Sequence, residues 1–306
     1  MALPYTKLDD FLAAIDKMER PLCVLAHQDD ETTFSGVLTR CSDRMHIIWV
    51  TNGDGLYYEA NVSPEEYGNI RMAEALNSAA AVGIPAEHTT CLKVSEVEFY
   101  LHFMYVTNNA KAINWAKPFF QKIIDDLRER IFAYRPQAVF TPAYQCGNPE
   151  HDLTHYFARL VIDEYERKTG EVVPFIHVPM YEYVILVALR FNPFYRGIRW
   201  RYKLNDKEMA NKRKQFDAYP SQGNLFGQFQ KIVKVVGLSG LFKRGRPYSE
   251  EEYLGVEEWG PVPEDWDYLK NPHTFDWANY MFDHFGKVPI SFNKTIRPIV
   301  AAFPRR

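Results

Sequence analysis

The chain has 306 residues, of which 46% are hydrophobic and 25% charged, so it is long and apolar enough to bury a substantial core. Its net charge of −3 gives no overall reason to expect nucleic-acid binding, and no apolar run approaches the ~18 residues that would span a bilayer. The four cysteines show no CxxC spacing, which favours reduced thiols over disulfide bridges.

The first predicted element is a short amphipathic helix within residues 1–20. Its apolar face consists of Leu8, Phe11, Leu12, Ile15 and Met18. The same segment contains acidic residues and lacks the apolar stretch of a signal peptide, so we expect a cytoplasmic protein.

An apolar run over residues 22–26 predicts a buried parallel strand, and a polar cluster follows it directly. The cluster places His27, Asp29, Asp30 and Glu31 on a strand-to-helix turn. Because crowded carboxylates repel one another, a divalent cation would relieve the conflict. His27 and Asp30 have the spacing to hold one ion, while Asp29 can face the open side. The alternative is an acidic helix N-terminus beside a structural histidine.

The next segments repeat the pattern of strand, loop and helix. Residues 45–50 predict a second strand, which ends in the glycine-rich loop 51–55. Ser63 and Pro64 predict the start of a helix that runs to Val82 and stops at Gly83. This repetition predicts an α/β fold in which helices cover a parallel sheet.

A second polar cluster follows another predicted strand. Residues 108–134 predict one long helix, residues 137–142 a buried strand, and His151 lies at the start of the next helix. Since parallel strands end at the same edge of a sheet, the two clusters can converge. His27, Asp30 and His151 would leave a fourth position for water, as in catalytic zinc sites, with Asp29 as the base.

These motifs resemble those of the LmbE-like, or PIG-L, family of zinc-dependent de-N-acetylases. The family's A-H-P-D-D-E stands here as residues 26–31, its G-H-P-D-H as residues 147–151, its R-x-x-E as Arg71 and Glu74, and its Y-x-S-Q as residues 219–222. The resemblance covers roughly residues 18–225. It implies one LmbE-like domain over residues 1–306, with a Rossmann-like, mostly parallel sheet, helices on both faces, and an extended aromatic-rich C-terminal region over about 226–306.

The resemblance also implies a function. It implies one Zn²⁺ per chain on His27, Asp30 and His151, in a hydrolase that removes the N-acetyl group, a linear amide, from an amino-sugar derivative. Asp29 would be general base and acid for attack by zinc-bound hydroxide, and Arg71 would position the small N-acetylated sugar. The oligomeric state stays open, a homo-oligomer included.

Two departures from the family pattern affect these expectations. Gln28 replaces a proline, and Asn148 replaces a histidine that helps to stabilise the oxyanion. Asparagine can donate a hydrogen bond but carries no charge, and the loss of one oxyanion donor costs about 10²–10³ in rate. Glu150 keeps a carboxylate in the supporting place. We therefore expect a slower enzyme, a different donor such as Tyr144, or an altered substrate.

Two other functions remain open. One is an amidase that acts on a larger sugar conjugate, and the other is a zinc- or sugar-binding protein impaired by Asn148. A nucleotide-binding domain is disfavoured, because no G-x-G-x-x-G follows the first strand.

Several further residues have two interpretations each. His155 is more typical of a structural histidine than of a ligand, and Glu96 and Glu98 belong either near the sugar or on a solvent-facing strand edge. The basic, aromatic segment 190–214 favours a solvated face over the wall of an anionic-substrate pocket. Three tail tryptophans would cap the fold or line a sugar subsite: Trp259, Trp266 and Trp277.

Overall fold

The computed structural model describes residues 5–182, 187–192, 194–240, 245–272, 280, 284–285 and 288–305. Within these ranges the strands are β1 (Pro21–Leu25), β2 (His46–Thr51), β3 (Thr89–Val94), β4 (Ala138–Pro142), β5 (Phe175–Val178), β6 (Tyr181–Glu182), β7 (Val187–Ala188), β8 (Trp200–Lys203), β9 (Val256–Pro261), β10 (His284–Phe285) and β11 (Val288–Pro289). β6 pairs with β7 and β10 with β11 as two small antiparallel ribbons.

The other strands form one mixed sheet in the order β3-β2-β1-β4-β5-β9-β8. The first five are parallel, whereas β9 runs antiparallel to β5 and β8 antiparallel to β9. This confirms the predicted Rossmann-like, mostly parallel sheet. β1 pairs with β2 on one side and with β4 on the other, so the strand order reverses there. In such sheets the crevice at the carboxyl ends of these strands is where ligands bind.

Helices cover both faces of the sheet. They are α1 (Leu8–Ile15), α2 (Ser35–Arg40), α3 (Tyr57–Ala60), α4 (Pro64–Val82), α5 (Glu96–Asn108), α6 (Ile113–Tyr134), α7 (Pro149–Thr169), α8 (Asp206–Asp217), α9 (Gly223–Ser239), α10 (Glu250–Leu254) and α11 (Arg297–Ala302). Side chains of β1 alternate between two cores: Leu22 and Val24 pack with α5, α6 and α7, and Cys23 and Leu25 pack with α1, α2 and α4.

The sequence signals for helix ends agree with the structure in one region and fail in another. Ser63 caps α4 by accepting a hydrogen bond of 3.1 Å from the backbone of Glu66, as predicted. The single helix predicted over 108–134 is wrong at its start, because α5 and α6 are separate helices joined through a short 3₁₀ turn at 110–112. Glu96 and Glu98 lie in the first turn of α5, so the strand-edge interpretation is also wrong.

The C-terminal region contributes a strand to the main sheet. Trp259 on β9 is buried, and its ring lies 5.8 Å from the ring of Phe11 and 6.0 Å from that of Phe140. It therefore packs in the core, whereas Trp266 contacts Tyr195 near the surface. Trp277 lies outside the described residues.

The basic segment 190–214 uses several of its cations inside the fold. Arg190 stacks on the ring of Tyr253, with 4.1 Å between the guanidinium carbon and the ring centre. Lys212 is buried, and its ammonium group lies 3.0 Å from Glu257. These partners belong to α10 and β9, which means that the two cations hold elements together.

The buried Lys212–Glu257 pair is expected to be important for stability. Lys212→Met would leave the Glu257 carboxylate, which also accepts from the backbone of Gly36, without its counter-charge. Removing one partner of a buried pair costs about 3–5 kcal/mol. Urea unfolding of this variant should show that loss. The exposed neighbour Arg213, paired with Glu251, is the matched control, and Arg213→Met should cost below about 1 kcal/mol.

None of the helices in the described ranges has the length and apolarity required to cross a membrane.

Candidate metal centre and active site

Three potential metal ligands meet where β1 and β4 end. His27 follows β1, Asp30 opens the short 3₁₀ turn after it, and His151 lies in the first turn of α7. Nδ1 of His27 lies 2.9 Å from Nε2 of His151, which lies 3.0 Å from Oδ1 of Asp30. The other carboxylate oxygen of Asp30, Oδ2, lies 3.9 Å from Nδ1 of His27. The structure thus brings together residues that are 124 positions apart in sequence.

The spacing of these three side chains suits a small divalent cation. Ligand atoms around a tetrahedral zinc with bonds of about 2.0–2.1 Å lie about 3.3–3.4 Å apart. One ligand atom from each of the three side chains lies within 4.8 Å of the other two, so small shifts would bring them to that spacing. The backbone N–H groups of Ala26 and His27 donate to Oδ2 of Asp30, at 3.0 and 2.9 Å. Because Oδ2 is held in this way, Oδ1 is left facing His151.

The charges at the cluster also favour a cation. Burial lowers the pKa of His151, which keeps its imidazole neutral. Burial acts to raise the pKa of Asp30, but His151 and His27 outweigh it and lower that pKa, which keeps the carboxylate ionised. A neutral imidazole and an ionised carboxylate are ligand forms that bind metal, and His151 and Asp30 have these forms.

Glu150 lies behind His27 and fixes its orientation. Its Oε2 is 2.8 Å from Nε2 of His27, so the ring can donate there and keep Nδ1 as an electron-pair donor. Burial alone would lower the pKa of His27, but the carboxylates of Glu150 and Glu96 raise it well above its usual range. This direction shows that the cluster attracts positive charge. Glu150 therefore contacts a predicted metal ligand through its side chain, whereas the sequence suggested that it supports Asn148.

Asp29 lies beside the cluster in an unusual backbone conformation. Its φ is 110°, a region that few side chains other than Asn and Asp adopt, and Oδ2 lies 3.0 Å from the guanidinium of Arg71. Burial raises the pKa of Asp29 to about 7, against the opposing effect of Arg71. A carboxyl group with a pKa near neutrality can both accept and return a proton.

Asn148 is the N-cap of α7. Its Oδ1 accepts from the backbone N–H groups of Glu150 at 2.7 Å and His151 at 3.2 Å. The carbonyl end of the Asn148 amide is therefore engaged by these two bonds. The same side chain, with its NH₂ group, lines a cavity beside the ligand cluster. The capping role was not recognised in the sequence, although asparagine before proline at a helix start is its usual signal.

The hydroxyl of Tyr144 does not face this site. The ring is buried in the core, and the hydroxyl donates to the backbone oxygen of Tyr268 at 2.9 Å. The prediction of Tyr144 as an alternative donor is therefore wrong, because a distant C-terminal segment provides its partner. Four other tyrosines lie at the cavity instead: Tyr57, Tyr58, Tyr100 and Tyr181, whose ring stacks on that of His151 at 5.4 Å.

A cavity of about 240 Å³ opens beside the cluster. Its polar lining combines one guanidinium and one imidazole with several acids, hydroxyls and amides: Arg71, His27, Asp29, Glu96, Glu150, Tyr57, Tyr58, Tyr100, Tyr181, Asn148 and Gln222. We call it the polar cavity. Glu96 accepts from Thr51 at 3.0 Å and from the backbone of Gly55 at 3.1 Å, so its position is fixed. This lining suits a hydroxyl-rich ligand better than an anionic one.

The later motifs support the turn that carries Asp29. Tyr219 and Ser78 donate to Oε1 of Glu31, the latter at 2.6 Å. Ser221 donates to Glu74 through its backbone at 2.9 Å and its hydroxyl at 2.6 Å. The segment 219–222 therefore braces both the first motif and α4, which presents Arg71.

Gln28, in the place of the family's proline, ties the same turn to the next strand. Its amide donates to the backbone oxygen of Thr51 at 2.8 Å. A Cβ on Gly53, which has a φ of +76°, would lie only 2.5 Å from Oε1 of Gln28. The substitution therefore replaces a stiff ring with a hydrogen bond.

His155 has no lone pair facing the cluster. Its Nδ1 lies 2.8 Å from the backbone oxygen of Pro142, and its Nε2 lies 2.9 Å from the hydroxyl of Tyr268. Burial lowers the pKa of His155 to about 3. These contacts support the structural interpretation.

Residues 22–162 match the family model described as GlcNAc-PI de-N-acetylase, PIG-L. Among solved structures the chain is similar to a deacetylase from the teicoplanin biosynthesis pathway, at 15% identity over 80% of this chain and 99% of that chain, with a TM-score of 0.59. The zinc-inhibited form of teicoplanin deacetylase Orf2 is similar at 14% identity, 80% and 99% coverage and a TM-score of 0.53. The chain is also similar to N,N′-diacetylchitobiose deacetylase from Pyrococcus horikoshii, at 15% identity over 84% of this chain and 90% of that chain, with a TM-score of 0.51.

At these identities the solved structures establish a shared fold. No curated protein matches the chain in sequence. The family model covers the two strand-end motifs that carry His27 and His151, and the sheet has the family's expected parallel core. The segment 22–162, which carries both strand-end motifs, is therefore similar in sequence to the PIG-L, or LmbE-like, family.

Proposed function

We propose that the protein is a zinc-dependent hydrolase that removes an N-acyl group, such as acetyl, from an amino-sugar derivative. The observation that carries this proposal is the convergence of His27, Asp30 and His151 beside Asp29, at the mouth of a polar cavity. The family match and the deacetylase names of the similar structures support the reaction class.

The ligand set fits zinc, with His27, Asp30 and His151 as the residues that would hold one ion. When bound, such an ion lowers the pKa of a water and polarises a carbonyl oxygen. Every other role belongs to side chains of the chain itself.

Asp29 accepts the proton of the attacking water and returns it to the leaving nitrogen. Its raised pKa suits both steps, and Arg71 holds the carboxylate in place at 3.0 Å. Asn148 donates its amide N–H to the carbonyl oxygen as charge develops there. Glu96 and Gln222, which also line the polar cavity, bind sugar hydroxyls.

The test combines metal content with product analysis. The purified protein, given one equivalent of zinc and then freed of excess, should hold about one zinc per chain and release acetate from N-acetylated amino sugars. Acid release from sugar conjugates alone would identify the amidase alternative, and bound zinc with no acid from any substrate would identify a binding protein. Absence of bound metal would contradict the proposal.

Asn148→Ser separates the two roles of Asn148. A serine hydroxyl still caps α7 but cannot place an amide donor in the cavity. We expect thermal stability to change little and kcat to fall by about 10²-fold, the usual cost of one oxyanion donor. Asn148→Ala is the comparison, since it should lose the cap as well, at about 1 kcal/mol. Full activity in Asn148→Ser would contradict the donor role.

A further inference from the structure

A second cavity shares part of its wall with the polar cavity. Its volume is about 70 Å³, and we call it the apolar cavity. Asp29, Tyr181 and Leu225 line both cavities. The remaining lining residues are Asp30, Thr32, Thr33, Met180, Leu189, Phe216, Phe226 and Phe229. The group proposed as the base therefore forms part of the wall of both cavities.

The walls of the apolar cavity offer apolar surface to a ligand. Phe226 and Phe229 come from α9, and the ring of Phe226 packs edge-on against Phe216 of α8, with 5.0 Å between ring centres. The two threonine hydroxyls in the wall already donate to the backbone: Thr32 to Asp29 at 2.8 Å, and Thr33 to Asp30 at 2.7 Å. A ligand there gains contact area and finds few hydrogen-bond partners.

We propose that the apolar cavity binds the acyl chain of the substrate, and that the preferred chain has four to six carbons. This inference rests on the proposed function and specifies its substrate. With the scissile amide beside Asp29, the sugar would occupy the polar cavity and the acyl chain would extend toward Phe226 and Phe229. A dry cavity of about 150 Å³ holds a benzene ring, so the apolar cavity, at about 70 Å³, has room for a few carbons beyond the carbonyl group.

The reaction is a hydrolysis that needs no other reactant. The oxygen of water forms a bond to the carbonyl carbon, the carbon–nitrogen bond breaks, and the water's proton passes through Asp29 to the leaving amine. The products are a short-chain carboxylate, of which butanoate and hexanoate are examples, and the amino sugar as its ammonium ion, which carries both protons of the water.

The experiment compares N-acetyl, N-butanoyl, N-hexanoyl and N-decanoyl glucosamine with the zinc-loaded protein, by measuring released acid. Each methylene that enters the cavity favours binding by about threefold to fivefold. We expect kcat/KM to rise about tenfold from acetyl to butanoyl, to stay high for hexanoyl and to fall for decanoyl, which exceeds the cavity.

Substitutions at Phe229 test the location. Phe229→Trp, which narrows the cavity, should lower the hexanoyl-to-acetyl ratio of kcat/KM by about tenfold, and Phe229→Ala should shift the optimum to longer chains. The ratio is an internal control, because general damage lowers both rates together. Leu238→Trp, at an exposed position of the same helix, is the matched control and should leave the ratio unchanged.

The outcomes separate the inference from the proposed function. Release of acetate with no gain for longer chains, or a ratio insensitive to Phe229, would overturn the acyl-chain assignment and leave the hydrolase intact. No acid from any of the four amides, with zinc bound, would overturn both. An optimum at butanoyl or hexanoyl that moves with Phe229 would support the assignment.

Discussion

His151→Ala should abolish both metal binding and hydrolysis. The imidazole of His151 is central to the ligand cluster, at 2.9 Å from His27 and 3.0 Å from Asp30. Without it, only His27 and Asp30 remain as ligands, both on one turn, and α7 no longer contributes a ligand. We expect zinc content to fall from about one to below about 0.1 per chain and kcat/KM to fall by more than about 10³-fold, since the metal supplies several kcal/mol of transition-state stabilisation.

His155→Gln provides the control, one helical turn farther along α7. His155 bonds to Pro142 and Tyr268 and does not face the ligand cluster. We expect this variant to lose stability while it keeps its zinc. If His151→Ala retained stoichiometric zinc, the ion would lie elsewhere and the assignment of the cluster would be wrong. Metal analysis after gel filtration, beside unfolding curves, distinguishes these results.

Asp29→Asn should eliminate most catalysis while the metal stays bound. Asparagine has nearly the same shape, tolerates the positive φ of 110° at this position, and cannot accept the proton. Loss of a general base typically costs about 10²–10⁴ in rate. We therefore expect kcat to fall by about 10³-fold, with zinc content near that of the wild type and KM changed far less.

Asp29→Ala is the matched comparison, because alanine at a positive φ adds backbone strain of about 1–2 kcal/mol to the loss of the base. The two variants should be similarly inactive but differ in stability. Loss of zinc in Asp29→Asn would show that this carboxylate is a ligand. Retention of more than about a tenth of the activity would show that another group takes the proton.

The sequence predicted those parts of the site that depend on strand ends. Two apolar runs, each followed by polar residues, must end at the same edge if both strands are parallel, and so the meeting of His27 and His151 follows from local patterns and fold class. The capping of α4 by Ser63 was likewise a local signal. The catalytic and ligand roles themselves stay predictions until the variants above are measured.

Contacts between distant segments could not be predicted in this way. The position of Tyr144 depends on Tyr268, 124 residues later, and no local pattern connects them. Tyr181 reaches His151 from beyond β5 without any motif, and the apolar cavity forms only because α9 lies against the first turn. These contacts depend on packing between elements that are far apart in the chain, and local patterns in a single sequence do not reveal that packing.

The bond from Tyr219 to Glu31 also has a consequence for synthesis of the chain on the ribosome. The carboxylate of Glu31 is buried, which raises its pKa, and its phenol partner is 188 residues downstream. Until residue 219 has left the exit tunnel, the turn that carries Asp29 lacks this brace. The nascent chain should therefore acquire its mature active-site turn only after residue 219 has emerged, and a ribosome stalled earlier should display a protease-sensitive turn.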